Sequence, residues 1–350
     1  MASQISSAAW LAWIERFAGR FESALGEPAL PRSLFYCRLD DQPDHLVPER
    51  CLLRSGHWEG LADRPFLVNP GAFFTKSAEL PAQEGYELPG QMQNFALEAE
   101  IVWIKDPGSN VWRPFWLGPK LTSALSGRRP GDPAPSDLSE SDFCALATAG
   151  VLVTSDYSSK RCKEWSERIS ICRQQFQREG YAPVAMLIHP FHISALRRYY
   201  RCLIRTGKLR LGDQQSSRRY VAHNESVACF FHHQLTSAVS EMTGEPVKPS
   251  YVYLASYQAG AELEKHTDRE QCEFSLTLCL DYSPEPRNAT PWPLYLHTSC
   301  GKVTVFQGIG DALLYRGRQL PHSRDPLPCG HTSTSIFFHY VRENFAGKLD

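Results

Sequence analysis

Over residues 249–341 the chain is cut into short β-type runs, and this rhythm constrains the fold more than any other feature. The runs are SYVYLASY, EFSLTLCLDY, WPLYLHT, KVTVFQ, DALLYR and STSIFFHYV, rich in aromatic and β-branched residues. Turn residues separate them at Gly260, 284–286, Gly301, 308–310 and 325–330. So many runs in so short a stretch predict an antiparallel barrel or jelly roll rather than a helical domain. His266 and Asp268 stand two residues apart, so in extended geometry they project from one face. His322 follows DALLYR and a proline, where the chain can return to the same mouth. Two imidazoles and one carboxylate are the donor set of the 2-His-1-carboxylate arrangement, which leaves positions open on Fe(II) for a bidentate cosubstrate and O₂. His-x-Asp taken alone is better read as a solvated strand end. His297, His331 and His339 also lie in or near strands as alternative third ligands.

The order of these features adds weight. The strings HTDREQCEFSLTL, GDALLYRGRQLPHSRDP and IFFHYV resemble the iron- and 2-oxoglutarate-dependent dioxygenase superfamily, nearest to its prolyl-4-hydroxylase-like branch. The resemblance covers the last quarter to third of the chain. It implies a double-stranded β-helix core, Fe(II) held by His266, Asp268 and His322, and 2-oxoglutarate and O₂ as cosubstrates. The implied reaction is hydroxylation of an amino-acid, peptide or protein side chain, or of a small metabolite; desaturation and cyclisation are also open. Tyr257 resembles the position of a tyrosine that hydrogen-bonds the cosubstrate, and a core tyrosine is the competing reading.

One departure stands out. Relatives carry Arg or Lys on the last strand to pair with the far carboxylate of 2-oxoglutarate, whereas this chain reads GHTSTS there. A buried carboxylate needs a cation or several donors. Arg324, two residues beyond His322 and on the same face if extended, is the preferred substitute, with Thr332 and Thr334 as added hydroxyl donors. Arg316, Arg318 and Lys302 are less favoured. The missing cation also supports two alternatives: a non-catalytic jelly-roll binding protein, or an iron oxygenase that does not use 2-oxoglutarate.

Upstream, the expected class is α+β. A boundary near 155/156 separates an N-terminal accessory region (1–155) from an oxygenase domain (156–350) whose core is 249–341. A packing helix is expected over 6–26. ALEAEIVWIK and VWRPFWLG bracket DPGSN as a hairpin, a short helical run follows, and Ser139 with Asp142 caps another helix that stops at Gly150. This set suggests a small winged-helix-like module. Helical stripes then follow from Ser158 to Gly180, in FHISALRRYYRCLIRTG, and over 224–243, with PVAMLIHP as a strand between the first two. Arg197, Arg198, Arg201 and Arg205 read as a solvated basic face.

Lys and Arg total 37 against 38 Asp and Glu, for a net charge of −1, so nothing favours nucleic acid or an anionic membrane. No apolar run is long enough to span a bilayer, and the start lacks a basic, then apolar, export signal. Eleven scattered cysteines without a C-x-x-C pair fit free thiols. A cytoplasmic location is therefore expected.

Overall fold

The computed structural model describes residues 65–75 and 101–349; the helix expected over 6–26 lies outside them. The N-terminal part holds β1 (Phe66–Val68), β2 (Ala72–Thr75), β3 (Ile101–Lys105), β4 (Trp112–Trp116), α1 (Gly118–Ala124), α2 (Glu140–Ala149) and β5 (Leu152–Thr154). The hairpin around DPGSN forms as read, with Lys105 opposite Trp112, and β2 adds to it. Ser139 Oγ accepts from the Asp142 amide at the start of α2, and Gly150 (φ 77°) ends that helix.

The remaining elements are α3 (Tyr157–Glu179), β6 (Tyr181–Val184), α4 (Pro190–Arg205), β7 (Arg210–Leu211), β8 (Arg219–His223), α5 (Ser226–Gln234), α6 (Thr236–Thr243), β9 (Val247–Tyr257), β10 (Leu263–His266), β11 (Phe274–Ser283), β12 (Leu294–Thr298), β13 (Gly301–Val305), β14 (Ala312–Tyr315), β15 (His322–Arg324) and β16 (Thr332–Arg342). A major sheet runs β6-β14-β11-β16-β9-β8-β7, and a minor sheet runs β10-β15-β12-β13, both antiparallel. Leu263, Leu294, Leu296 and Val305 of the minor sheet pack on Leu313 and Tyr315 of the major one. The two sheets therefore face each other, and the α+β architecture with a C-terminal jelly roll is present.

Period-two alternation decides what each face of the major sheet meets. Val252 and Leu254, Leu276 and Leu278, Ala312 and Leu314, and Ile336 and Phe338 lie in one core with residues of α3 to α6. Their neighbours Tyr253, Thr277, Tyr315 and Phe337 face the opposite sheet and line a cavity. A register shift in β11 between Cys279 and Asp281 reverses the alternation. Tyr282 then joins the inner cluster, and Asp281 meets α4, where Arg197 Nε lies at 3.0 Å and Arg201 Nε at 2.5 Å. The basic run of α4 is thus not a purely solvated face, because Arg197 and Arg201 clamp this carboxylate.

Three further expectations change. PVAMLIHP is a strand only at its start, since the Asp311 carboxylate captures the Met186 amide at 2.9 Å and Met186 turns with φ 48°. The helix over 224–243 breaks at Leu235 into α5 and α6. Strands β7 and β8 extend the major sheet where no strand was read.

The N-terminal elements have their own core, which also takes in Phe191 and Ala195 of α4. Asp106 is fully buried and receives Arg161 Nε of α3 at 2.7 Å and Arg113 Nη2 at 3.3 Å. Burial alone would raise its pKa, but the two guanidinium groups outweigh this and hold it below the usual value. Among the described residues no helix is long and apolar enough to cross a membrane.

Buried imidazoles tie these layers together. His192 Nε2 donates to Pro114 O at 2.9 Å, and His232 Nε2 to His339 O at 2.8 Å. Burial lowers their pKa values from 6.5 to about 4 and about 3. Below pH 6.5 the unfolded chain accepts protons that the folded chain refuses, so stability falls as pH drops through this window. The expected slope is about 1.4 kcal/mol per pH unit for each histidine. Urea unfolding between pH 7 and pH 5 measures it; a flat profile would mean that these rings take up protons while folded.

Candidate metal centre

His266 ends β10 and His322 begins β15, and the antiparallel register sets them opposite each other, with ring centroids 4.4 Å apart. The register shifts between Leu263 and His266, and the strand stops there. Asp268 therefore lies beyond the strand, not on it as extended geometry predicted. Its amide donates to Gly317 O at 2.9 Å, which brings the carboxylate back to the two rings. Asp268 Oδ1 is 3.8 Å from His266 Nε2 and 3.6 Å from His322 Nε2.

The other ring nitrogens reveal the tautomers. His266 Nδ1 is 2.7 Å from Glu264 O, and His322 Nδ1 is 3.0 Å from Leu320 O. A carbonyl only accepts, so each Nδ1 carries a proton, and in the neutral ring Nε2 is then the atom with the lone pair. Burial lowers the pKa of His322, which keeps it neutral. In the neutral rings two Nε2 lone pairs and a carboxylate oxygen therefore converge on one point. The separations are too long for direct hydrogen bonds and short enough for one cation to be held by all three. This donor set fits a ferrous ion.

Asp268 is held from behind. Ser275 Oγ donates to its Oδ2 at 2.7 Å, and because that uses the hydroxyl proton, His339 Nδ1–H donates to Ser275 Oγ at 3.0 Å. Burial pulls the pKa of His339 down to about 4, and its ring lies against Tyr251 with centroids 4.6 Å apart. Gly317 completes the cradle. A Cβ there would stand 2.6 Å from both Cys272 O and Ser275 Oγ, and closer still to Asp268 Oδ2.

The cluster opens into a cavity of about 730 Å³ between the sheets. Arg324 lines it from the same strand as His322; both side chains are buried on the inner face. Its Nη1 donates to Trp292 O at 2.8 Å, Nη2 reaches Gln307 Oε1 at 3.3 Å, and the guanidinium lies 4.4 Å from the Trp292 ring centroid. Among the described residues no carboxylate lies within ion-pair distance of it. Burial accordingly lowers its pKa, the mark of an under-compensated buried cation. Tyr257 also lines the cavity, but its hydroxyl already accepts from Arg219 Nη1 at 3.1 Å.

Thr332 and Thr334 do not join this group. On β16 the inward positions are Phe337 and His339, so alternation turns both threonines to the other face, where Thr334 Oγ1 donates to Ser256 Oγ at 2.8 Å. His297 bonds Ser323, on the outer face of β15, and His331 bonds the Tyr282 hydroxyl, so neither meets the cluster. Lys302 lies over Tyr295, Arg316 against Phe176, and Arg318 near Glu273, all outside the cavity lining. Sequence reasoning missed Ser275, Gly317, Trp292 and the Arg219–Asp213 pair. The alternating RRYVAH run was the one available signal for the strand that carries Arg219.

No protein-family model matches the chain, and no curated protein matches it. Solved structures of iron/2-oxoglutarate oxygenases are similar over half of it. A Pseudomonas putida prolyl-4-hydroxylase is 15% identical, with TM-score 0.41, over 50% of this chain and 100% of its own. A Trichoplax adhaerens prolyl hydroxylase in complex with a hypoxia-inducible-factor peptide fragment is 13% identical, with TM-score 0.44, over 52% and 93%. The epimerase SnoN, in complex with Fe³⁺, alpha-ketoglutarate and nogalamycin RO, is 14% identical, with TM-score 0.40, over 50% and 84%. At such identities the chemistry has to be read from the cavity itself.

The cradle behind Asp268 makes a specific demand. Gly317→Ala should weaken Fe(II) binding by about tenfold to hundredfold, and Ser275→Ala by a similar or smaller factor, with the fold retained. Equilibrium metal titration checks this alongside circular dichroism; wild-type affinity in Gly317→Ala would show that the loop gives way without moving the carboxylate.

Proposed function

We propose that this protein is an Fe(II)- and 2-oxoglutarate-dependent dioxygenase that hydroxylates an unactivated C–H of an amino-acid, peptide or protein side chain, or of a small metabolite. The observation that carries this reading is the combination within one cavity. Three donors at ligand spacing converge at His266, Asp268 and His322, and a buried arginine without a carboxylate partner faces the same space.

Each residue has a distinct task. His266 and His322 present Nε2, because Glu264 O and Leu320 O fix their tautomers. Ser275 and Gly317 hold Asp268 in line, so the ligand geometry is set before any ion arrives. Bound there, iron supplies O₂ activation coupled to the oxidative decarboxylation of 2-oxoglutarate. Arg324 receives the far carboxylate of 2-oxoglutarate, and its planar fork, already aligned by Trp292 and Gln307, suits a two-point contact. Tyr257 and Trp292, edge to face at 5.1 Å, close off water around that end. Leu294 and Tyr315 supply apolar wall beside the ligands.

Two substitutions separate the roles. His322→Ala should abolish tight Fe(II) binding. Arg324→Ala should leave iron affinity nearly unchanged and weaken 2-oxoglutarate by about tenfold to hundredfold, the loss of a charge-assisted contact worth about 1.5–3 kcal/mol. Anaerobic titration through the metal-to-ligand absorption band reads both. An unchanged cosubstrate affinity in Arg324→Ala would remove that residue from the role. Absence of the band in the wild-type protein would overturn the cosubstrate itself and favour a non-catalytic binding protein.

A further inference from the structure

Behind the three cavity-facing donors, a second set of ligands meets the same carboxylate. Cys272 Sγ, a ring nitrogen of His339 and an oxygen of Asp268 lie within 4.8 Å of one another. Asp268 turns its two oxygens to different sides. Oδ1 faces His266 and His322, whereas Oδ2 is bonded to the Ser275 hydroxyl, which itself bonds His339. One carboxylate therefore divides a nitrogen-rich set at the cavity from a thiol-bearing set in its buried wall.

The thiol is placed rather than incidental. Cys272 is almost fully buried, its Sγ lies 3.0 Å from the Tyr251 hydroxyl, and its amide donates to Arg269 O. Tyr251 in turn is covered by the Arg269 guanidinium, 4.6 Å from the ring centroid, and lies tilted against His339. Among the described residues this is the one cysteine grouped with a histidine and a carboxylate at ligand spacing. Burial pushes its thiol up to about 12, so it stays protonated until a metal displaces the proton.

Donor softness assigns the ion. A thiolate–imidazole–carboxylate set favours zinc-class ions strongly over Fe(II), whereas the nitrogen–oxygen set at the cavity discriminates less. We propose that Asp268, Cys272 and His339 form a second metal site, selective for thiophilic divalent ions such as Zn²⁺, which competes with the cavity site for the shared carboxylate. Two dications around one carboxylate repel, so filling the inner site disfavours the outer one. Zinc then acts as an antagonist of iron loading rather than as a substitute ion. The competition rests on the iron reading above; the inner site itself does not.

Cobalt(II) is the probe, because a thiolate–cobalt bond gives near-ultraviolet charge-transfer absorption that imidazole and carboxylate ligands lack. Added anaerobically to the metal-free, full-length protein, Co²⁺ should produce that absorption. Cys272→Ala should lose it while keeping the weaker visible bands of cobalt at the cavity site. His339→Gln should weaken it by about tenfold or more, a second route if the alanine variant folds poorly. Zn²⁺ should displace iron from the wild-type protein, and Cys272→Ala should need about tenfold more of it. The proposal falls if the wild-type protein shows no thiolate-to-cobalt absorption, or if that absorption survives in Cys272→Ala. Either result, with Fe(II) and 2-oxoglutarate binding intact, leaves the oxygenase reading standing. Thiolate absorption without any iron binding has the opposite consequence.

Discussion

Alternation along the strands of the major sheet is the constraint on which the rest of this structure depends. Between the register shifts, every second residue of β9, β11, β14 and β16 is buried under the helices, and the residues between them face the minor sheet. Both faces are covered, so most positions of these strands are buried. Fully burying side chains such as Leu276 or Phe338 contributes about 1.5–3 kcal/mol each, which anchors the outer face. The inner face is then free to carry tyrosines, Thr277 and His339 around a cavity instead of a continuous apolar core. The shift at Cys279 and Asp281 shows the same rule in reverse, since it turns an aspartate toward two arginines of α4 that would otherwise lack it.

Electrostatics make the cavity specific. Two imidazole nitrogens and a carboxylate oxygen at this spacing favour a cation held between them. At Arg324 the imbalance has the opposite sign, a buried guanidinium offered only neutral acceptors. One space therefore holds an anionic, electron-rich end and a cationic end. The 2-oxoglutarate reading proposed above rests on these two ends, since a dianionic chelator would meet both.

The described N-terminal elements pack against the helices that follow them. Their core includes Phe191 and Ala195 of α4, and Asp106 binds Arg161 of α3 in the buried seam between the two parts. The same helix α4 clamps Asp281 of the major sheet through Arg197 and Arg201. Removing one partner of a buried pair such as Asp106–Arg161 leaves an uncompensated charge and costs about 3–5 kcal/mol. The accessory region and the sheets are thus linked through α3 and α4.

Local pattern was enough for much of this. Period-two runs in SYVYLASY, EFSLTLCLDY and STSIFFHYV marked the strands of the jelly roll, and Ser139, Gly150 and Gly180 marked helix ends, because these signals act over a few residues. Residue type and order pointed to His266, Asp268 and His322, and spacing alone paired Arg324 with His322 on one face. What sequence could not contain was register. Thr332 and Thr334 were expected as hydroxyl donors because GHTSTS stands where the resemblance places a cation, yet the parity of β16 turns them away. Ser275 and Gly317 reach Asp268 only through the pairing of β11 with β14 and the loop beyond it, and Arg219 reaches the Tyr257 hydroxyl only through the pairing of β8 with β9. Strand identity is written in short-range side-chain chemistry; which face meets which partner is decided by long-range pairing and bulges, where a single residue of shift inverts every side chain after it.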